Sequence, residues 1–332
     1  MTSPSLSVII PVYNAQMFIA EAIQSILNQS FNDFELIIID DGSTDNSRQI
    51  IQSFNDKRIN YFKNDANKGI VYTRNRGISE SKGEFIGMLD ADDVAAPDKF
   101  KIQIDFLKKN KEFGMVGSWV KFIDENGNKL NGKWKLPASP ETIPSWFLFK
   151  NYFLQSAVLY RKNCFNNLSF TKGFDILEDY LIWYQILKKF KARNLPKYLI
   201  NYRIHKGGVT KKHNDERRDK EKKVFEIMFR DLGIDTTDRE LDIHLLIREG
   251  AIITNHEVLL EIEKWLLKIV FHNNKNKVYN QALLSKVVLN RWMKVCSNVR
   301  IINFQAAKIC LASQLYRILL KNIFITGGAD NG

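Results

Sequence analysis

The sequence is short of most features that would set a chain apart from ordinary globular proteins. No apolar run approaches the roughly 18–20 residues of a membrane-crossing helix, so no span is predicted. Met1–Leu6 lacks a basic n-region, and strand-like sequence follows at once, which argues against a secretory leader. Cys164, Cys296 and Cys310 are few and unpatterned; they exclude a disulfide or zinc framework and fit a reducing, cytoplasmic setting. Seven prolines and 17 glycines in 332 residues, with 45% hydrophobic and 26% charged residues, exclude collagen-like, low-complexity and disordered classes. There is no G-x-G-x-x-G and no G-K-[ST], which counts against a Rossmann dehydrogenase or a P-loop NTPase. A G-x-S-x-G elbow and an H-E-x-x-H pair are missing too.

Acid is missing from one long stretch. Between Glu263 and Asp330 there is none, while eleven lysines and arginines fall there, from Lys264 to Lys321. The formal net charge is +12, and it is unevenly spread. Residues 1–110 hold 12 basic against 15 acidic side chains, and residues 111–332 hold 37 against 22. Such asymmetry implies an anionic surface as partner of the C-terminal half.

What is present reads first as strand–helix alternation. Strands are predicted over Leu6–Ile10, Phe34–Ile39, Ile59–Phe62 and Phe85–Leu89, the second a near-continuous apolar run typical of a strand buried on both faces. Helices are predicted over Phe18–Asn28, Ser47–Phe54, Ile70–Glu80 and from Pro97 to about Lys109. This pattern calls for an α/β fold with a mostly parallel central sheet flanked by helices. Asn126-Gly127 marks a hairpin between Gly114–Ile123 and the residues after Lys129. Further strands are predicted over Ser156–Tyr160 and Tyr198–Ile204, with a helix over Leu177–Phe190 between them. From about Glu216 the texture becomes one of long amphipathic helices, including Lys286–Ser297 and Ile301–Ile325, and the boundary is set near residues 207–215.

Ligands of an open parallel sheet bind at the carboxyl ends of its strands. The four predicted strands are followed by Pro11-Val12-Tyr13-Asn14, by Asp40-Asp41-Gly42-Ser43-Thr44-Asp45, by Asn64-Asp65 with Asn67-Lys68-Gly69, and by Asp90-Ala91-Asp92-Asp93. Asp90 and Asp92 alternate in extended chain and so can address one ligand. Adjacent carboxylates repel unless a cation neutralises them, and hard oxygen donors suit Mg²⁺ or Mn²⁺. The alternative is a solvated acidic loop, with Asp93 capping the helix at Pro97. Glu178-Asp179 opens a helix, where the dipole favours acids; the functional reading is a carboxylate base. Arg74 is a candidate for phosphates, and His205 follows a strand.

In their order and spacing, PVYN, DDGSTD, NKG with TRNRG, DADD with Pro97, LEDYLIW and YRIH resemble family 2 glycosyltransferases of the GT-A fold, over roughly residues 5–206. The resemblance implies a GT-A nucleotide-diphospho-sugar transferase domain over residues 1–210 and a basic α-helical C-terminal region over 211–332. It implies that Pro11, Tyr13 and Asp41 hold base and ribose, that Asn67 and Arg74 line the nucleotide pocket, and that Asp90 lies near the ribose. Asp92 matches the acid that binds the divalent ion, Mn²⁺ or Mg²⁺, and Asp179 the catalytic base, with Glu178 beside it. Arg203 and His205 match a motif that closes over the diphosphate or completes the metal site, although Lys206-Gly207-Gly208 stands where relatives often carry a serine.

The implied activity is inverting, metal-dependent transfer of a hexose or N-acetylhexosamine from a UDP-sugar to a hydroxyl of a glycan or lipid-linked acceptor, in surface-polysaccharide synthesis. The basic helices are expected on an anionic membrane, peripherally on the cytoplasmic face, or against each other or a second copy. An inactive sugar-nucleotide-binding protein and a nucleic-acid binder are the competing readings. The basic tail has few interleaved aromatics and adjoins an acidic domain, which disfavours nucleic acid.

Overall fold

A computed structural model describes residues 3–207, 214–300, 309–310 and 313–326. The chain clusters into two compact units: Met1–Pro140 with Tyr152–Asn214, and Glu141–Asn151 with Asp215–Gly332. Most of the predicted boundary over 207–215, and the first part of the helix expected over 301–325, lie outside the described residues.

The first unit is built on one sheet. Strands β1 (Leu6–Val12), β2 (Phe34–Asp40), β3 (Ile59–Lys63) and β4 (Phe85–Met88) lie parallel in the order β3-β2-β1-β4. All seven residues of β1 and all seven of β2 are buried, as expected of a sheet covered on both faces. Helix α1 (Ile19–Leu27) turns Ile19, Ile23 and Ile26 into the core beside Leu6, Val8 and Ile10. The helices α2 (Ser47–Gln52), α3 (Ile70–Glu80) and α4 (Lys99–Lys109) follow β2, β3 and the two-residue strand β5 (Val94–Ala95). A Cβ on Gly77 of α3 would come within 2.5 Å of Ile9 Cγ2, so the helix approaches the sheet more closely than any larger residue would allow.

Beyond β4 the sheet continues with β8 (Leu159–Arg161), β6 (Phe113–Ile123) and β9 (Lys191–Arg203), and closes on β5; β7 (Lys129–Trp134) pairs with β6. Two expectations change here. The strand predicted over Ser156–Tyr160 begins as a 3₁₀ turn, Gln155–Ala157, before β8. The strand predicted over Tyr198–Ile204 is the end of the 13-residue β9, which starts at Lys191. Pro196 hides that continuity, because it sits where the register with β6 slips between Ser118↔Leu195 and Trp119↔Tyr198.

The second unit is helical. It comprises α5 (Ile143–Phe147), α7 (Asn214–Asp231), α8 (Asp238–Glu249), α9 (His256–Asn276), α10 (Gln281–Ser297) and α11 (Gln314–Thr326), while α6 (Glu178–Leu187) belongs to the first unit. Thr237 and Glu240 form a capping box at the start of α8. At the centre lies His244, fully buried: Nε2 donates to the Leu148 carbonyl at 2.6 Å and Nδ1 accepts from Trp265 Nε1 at 3.1 Å. Burial, with Arg291 and Arg248 adding to it against the Leu148 bond, pushes this imidazole down to about 3, so it is neutral.

Candidate active site

The loops at the carboxyl ends of β1 to β4 are tied to one another before they meet any ligand. Pro11 and Val12 end β1 buried, while Tyr13 is 49% exposed. Asn14 stands at φ +50 and receives the Thr44 N–H at 2.8 Å. Gly42, at φ +75, lets the second loop pass where a Cβ would meet the Ala66 carbonyl carbon at 2.8 Å. Asp41 is buried, and its carboxylate accepts from Asn64 Nδ2 at 2.6 Å and from the backbone N–H groups of Lys68 and Gly69, both at 2.9 Å. Its visible work is to shape the 64–69 loop. Asn67 is exposed, and its side-chain oxygen accepts from Gly69 N at 3.0 Å.

Arg74, on α3, is the hub. Its guanidinium is buried, donates to Asp90 Oδ1 at 2.9 Å and pairs with Glu178 across 104 residues of sequence. Burial alone would lower its pKa; the charges of Glu178, Asp90 and Asp179 outweigh it and hold it above its ordinary value. Three carboxylates thus share one guanidinium. The most buried of them is the one whose charge is disfavoured: burial first, with Asp179 and Asp90 adding and Arg74 opposing, pushes Glu178 up to about 8. Arg74 Nε is buried and has no hydrogen-bond partner.

Glu178 and Asp179 are in the first turn of α6. Glu178 is buried, whereas Asp179 is half-buried and accepts from Tyr180 N at 2.6 Å. Beneath them Trp183 Nε1 donates to the Tyr160 hydroxyl at 2.6 Å.

The acidic run after β4 divides its labour. Asp90 takes its backbone N–H to Ser156 Oγ at 3.1 Å. Asp92 keeps a third of its side chain exposed and lies 2.9 Å, Oδ2 to Nε2, from His205. Burial, then the charge of Asp90, raises the Asp92 carboxyl above its ordinary value, with His205 pulling the other way. Asp93 does not cap the helix at Pro97. It is fully buried, accepts from Arg203 N at 3.0 Å and leaves Oδ2 without a partner. Burial first, then Asp92 and Asp90, raises its carboxyl well above the usual range.

Arg203 is placed for support. Its guanidinium is buried and donates to the carbonyls of Asp92 at 2.8 Å, Asp124 at 3.0 Å and Glu125 at 3.2 Å, besides pairing with Glu21. The Phe18 ring lies 5.0 Å from this guanidinium and 4.7 Å from the His205 ring. Sequence reasoning did not single out Ser156, Glu21 or Phe18. Each acts through a contact at least 66 residues away in the chain, so no local pattern announces it.

The donor chemistry suits a small divalent cation. Ligands at right angles around an ion at about 2.1 Å lie roughly 3 Å apart, and Asp92 Oδ2 and His205 Nε2 have that spacing. Among the described residues no group of three His, Cys, Asp or Glu side chains forms a complete metal cage. That fits an ion that takes one or two protein ligands and completes its shell with substrate phosphates.

Residues 7–171 match the family described as Glycosyl transferase family 2. A glycosyltransferase of Haemophilus influenzae, itself uncharacterized, is 34% identical over 217 residues, which cover 64% of this chain and 84% of that protein. The UDP-Glc:alpha-D-GlcNAc-diphosphoundecaprenol beta-1,3-glucosyltransferase WfgD of Escherichia coli is 32% identical over 62% of this chain and 79% of its own. Among solved structures, S. aureus TarS 1-349 in complex with UDP-GlcNAc superposes with a TM-score of 0.58 at 18% identity, covering 95% of this chain and 92% of that one. The mannosyltransferase PcManGT from Pyrobaculum calidifontis, in complex with GDP-Man and Mn2+, gives 0.54 at 14% identity, over 100% and 89%.

Proposed function

The chain belongs to glycosyltransferase family 2, and from that premise we propose that it moves a hexose or N-acetylhexosamine from a UDP-sugar to a hydroxyl of a glycan or lipid-linked acceptor, with inversion, in the synthesis of a surface polysaccharide. Catalysis is assigned to residues 1–210, with Asp179 as the base. The observation that carries this reading is the convergence of Asp90, Glu178 and Asp179 on one buried guanidinium, which brings a donor-side acid and the first turn of α6 to the same charge. Arg74 fixes that geometry and keeps positive charge beside the phosphates. Asp179, half-buried and at a helix start, takes the acceptor proton as the hydroxyl attacks the anomeric carbon. Burial pushes Glu178 towards its neutral form, which lessens the negative charge gathered on Arg74.

Asp92 and His205 are the residues that would hold Mn²⁺ or Mg²⁺, which when bound supplies Lewis acidity to the departing diphosphate. Arg203 is a positioning residue, since it fixes the Asp92 backbone and leaves its own charge inside the protein. Tyr13, exposed at the end of β1, is offered as the surface for the base, with Pro11, Asp41 and Asn67 shaping the loops around it. The WfgD relative acts on a diphosphoundecaprenol acceptor, which supports a lipid-linked acceptor for this chain.

A partner surface is proposed for the second unit. No described helix is long and apolar enough to cross a membrane. Yet Arg317, Ile318, Leu320 and Lys321 of α11 and Phe271 of α9 are exposed, in a stretch without acids. Such a face suits the headgroup region of an anionic membrane.

The test is product analysis. Purified protein is offered UDP-, GDP- and dTDP-sugars with Mn²⁺ and a lipid-linked acceptor, and the anomeric proton of the product is read by NMR. A β-linked product from an α-linked UDP donor supports the reading, and retention of configuration sinks the inverting scheme.

A further inference from the structure

Two lysines of the sheet stand opposite one another, and a third follows just past the end of β7. Lys121 on β6 is directly opposite Lys133 on β7, and like charges opposed across an antiparallel pair are destabilising. Both ammonium groups reach the same ring: Lys121 Nζ lies 5.6 Å and Lys133 Nζ 5.5 Å from the centroid of Tyr198 on β9. Tyr198 packs 5.3 Å, centroid to centroid, from Trp119, and Lys135 Nζ lies 5.5 Å from the Trp119 ring. Among the described residues none of these lysines has a carboxylate at ion-pair distance. Lys133 alone has an ordinary explanation, because β7 is an edge strand and edge lysines deter strand addition. That explanation fails for Lys121, which lies on a strand paired on both sides.

The register adds a direction. Trp119, Lys121 and Ile123 share one face of β6, and their partners on β9 are Tyr198, Asn201 and Arg203. The lysine–aromatic patch therefore shares its face with Arg203, which holds the Asp92 carbonyl. Their partners on β6, Trp119 and Ile123, are four residues apart, so roughly 13 Å of strand separates Tyr198 from Arg203. The rings are half-buried and Lys133 and Lys135 are exposed, so the patch is a wet surface with flat apolar floor and uncompensated positive charge.

We infer that Lys121, Lys133 and Lys135 over Trp119 and Tyr198 form a docking site for an acidic glycan, the carboxylate- or phosphate-bearing acceptor chain that the enzyme extends. Ring faces take the C–H faces of sugars, and ammonium groups take the anionic substituents. The inference rests on the reading of the chain as an enzyme that extends a glycan, and it names the acceptor's charge.

Binding is measured by calorimetry on the full chain without donor. The probes are an oligogalacturonate, a maltooligosaccharide of equal length and phosphatidylglycerol vesicles. The acidic oligosaccharide should bind at least about tenfold more tightly than the neutral one. Lys121→Gln/Lys133→Gln should weaken it at least about tenfold, raise the melting temperature of the free protein by removing the opposed charges, and leave donor hydrolysis unchanged. Lys108→Gln/Lys109→Gln on α4 should leave binding as it is. Equal affinity for the neutral chain, or full binding by the Lys121/Lys133 variant, overturns the inference. So does a variant that loses only vesicle binding, which would assign the patch to lipid. Loss of donor hydrolysis in the wild type would instead remove the transferase reading.

Discussion

Asp92 and His205 are 113 residues apart in sequence and 2.9 Å apart in space, and what joins them is the pairing of β5 and β9 just behind. A carboxylate and an imidazole at that spacing can stand as a hydrogen-bonded pair or as two ligands of one ion. Titration of Mn²⁺ against transfer rate separates the two roles. His205→Ala should raise the half-saturating Mn²⁺ about tenfold or more, and Asp92→Ala should abolish the Mn²⁺ dependence of UDP binding. Equal Mn²⁺ curves for wild type and His205→Ala would leave the imidazole a structural partner only.

Asp179→Asn should lower kcat by about 10²–10⁴-fold, the usual worth of a positioned base, while UDP affinity stays nearly constant. Calorimetry with UDP and Mn²⁺ checks the second half. Parallel loss of UDP binding would mean that Asp179 serves the donor.

Glu178 should make the wild type less stable as pH rises. Its folded pKa of about 8 lies above the ordinary 4.5, so between those values the native state binds the extra proton. The stabilisation is complete below about 4.5 and is lost as pH rises through 8. Glu178→Gln keeps an acceptor for Arg74 and removes the titration, so its melting temperature should vary less from pH 5 to 9. A wild-type curve that climbs over that range, with the same climb in the variant, would exclude the protonated Glu178.

His244 works in the opposite direction. Its folded pKa of about 3 lies below the ordinary 6.5, so the unfolded chain binds more protons in that window. Stability from this residue is full above about 6.5 and declines on acidification. His244→Ala should cost about 2–4 kcal/mol at neutral pH, through the cavity and the unpaired Leu148 carbonyl, and should flatten the acid limb. Denaturant melts at pH 5 and 7.5 read both effects.

Co-sedimentation with vesicles tests the second unit. Full-length protein should bind phosphatidylglycerol vesicles at low salt and release at high salt. Arg317→Gln/Lys321→Gln should lose about 1 kcal/mol per charge. Indifference of the full chain to these vesicles would remove the membrane from the account.

Much of the first unit is legible in the sequence because its information is local. The buried runs of β1 and β2 and the acids after β4 each declare themselves within a few residues. The order of the short motifs then carries the family. What stays hidden is nonlocal. Of the strand Lys191–Arg203 only the part from Tyr198 is read from the sequence, because Pro196 interrupts the pattern while in space it occupies a bulge. Arg203 matches a motif that closes over the diphosphate or completes the metal site; here its donors go to three carbonyls and Glu21, partners that no spacing reveals. Asp93 enters the sequence reading only as a cap in the alternative of a solvated loop, and the return of β9 makes it a buried acceptor for Arg203 N.

The excursion of Glu141–Asn151 into the helical unit has a consequence for how this protein can be cut and recombined. Ile143, Phe147, Leu148 and Phe149 are buried, and Leu148 caps the imidazole of His244. A fragment ending after residue 214 would carry those apolar side chains without the core that covers them. A C-terminal fragment would leave the Nε2–H of His244 facing a hole. Transplanting the helical half onto another enzyme therefore takes two exchanges, one of them eleven residues long in the middle of the donor chain.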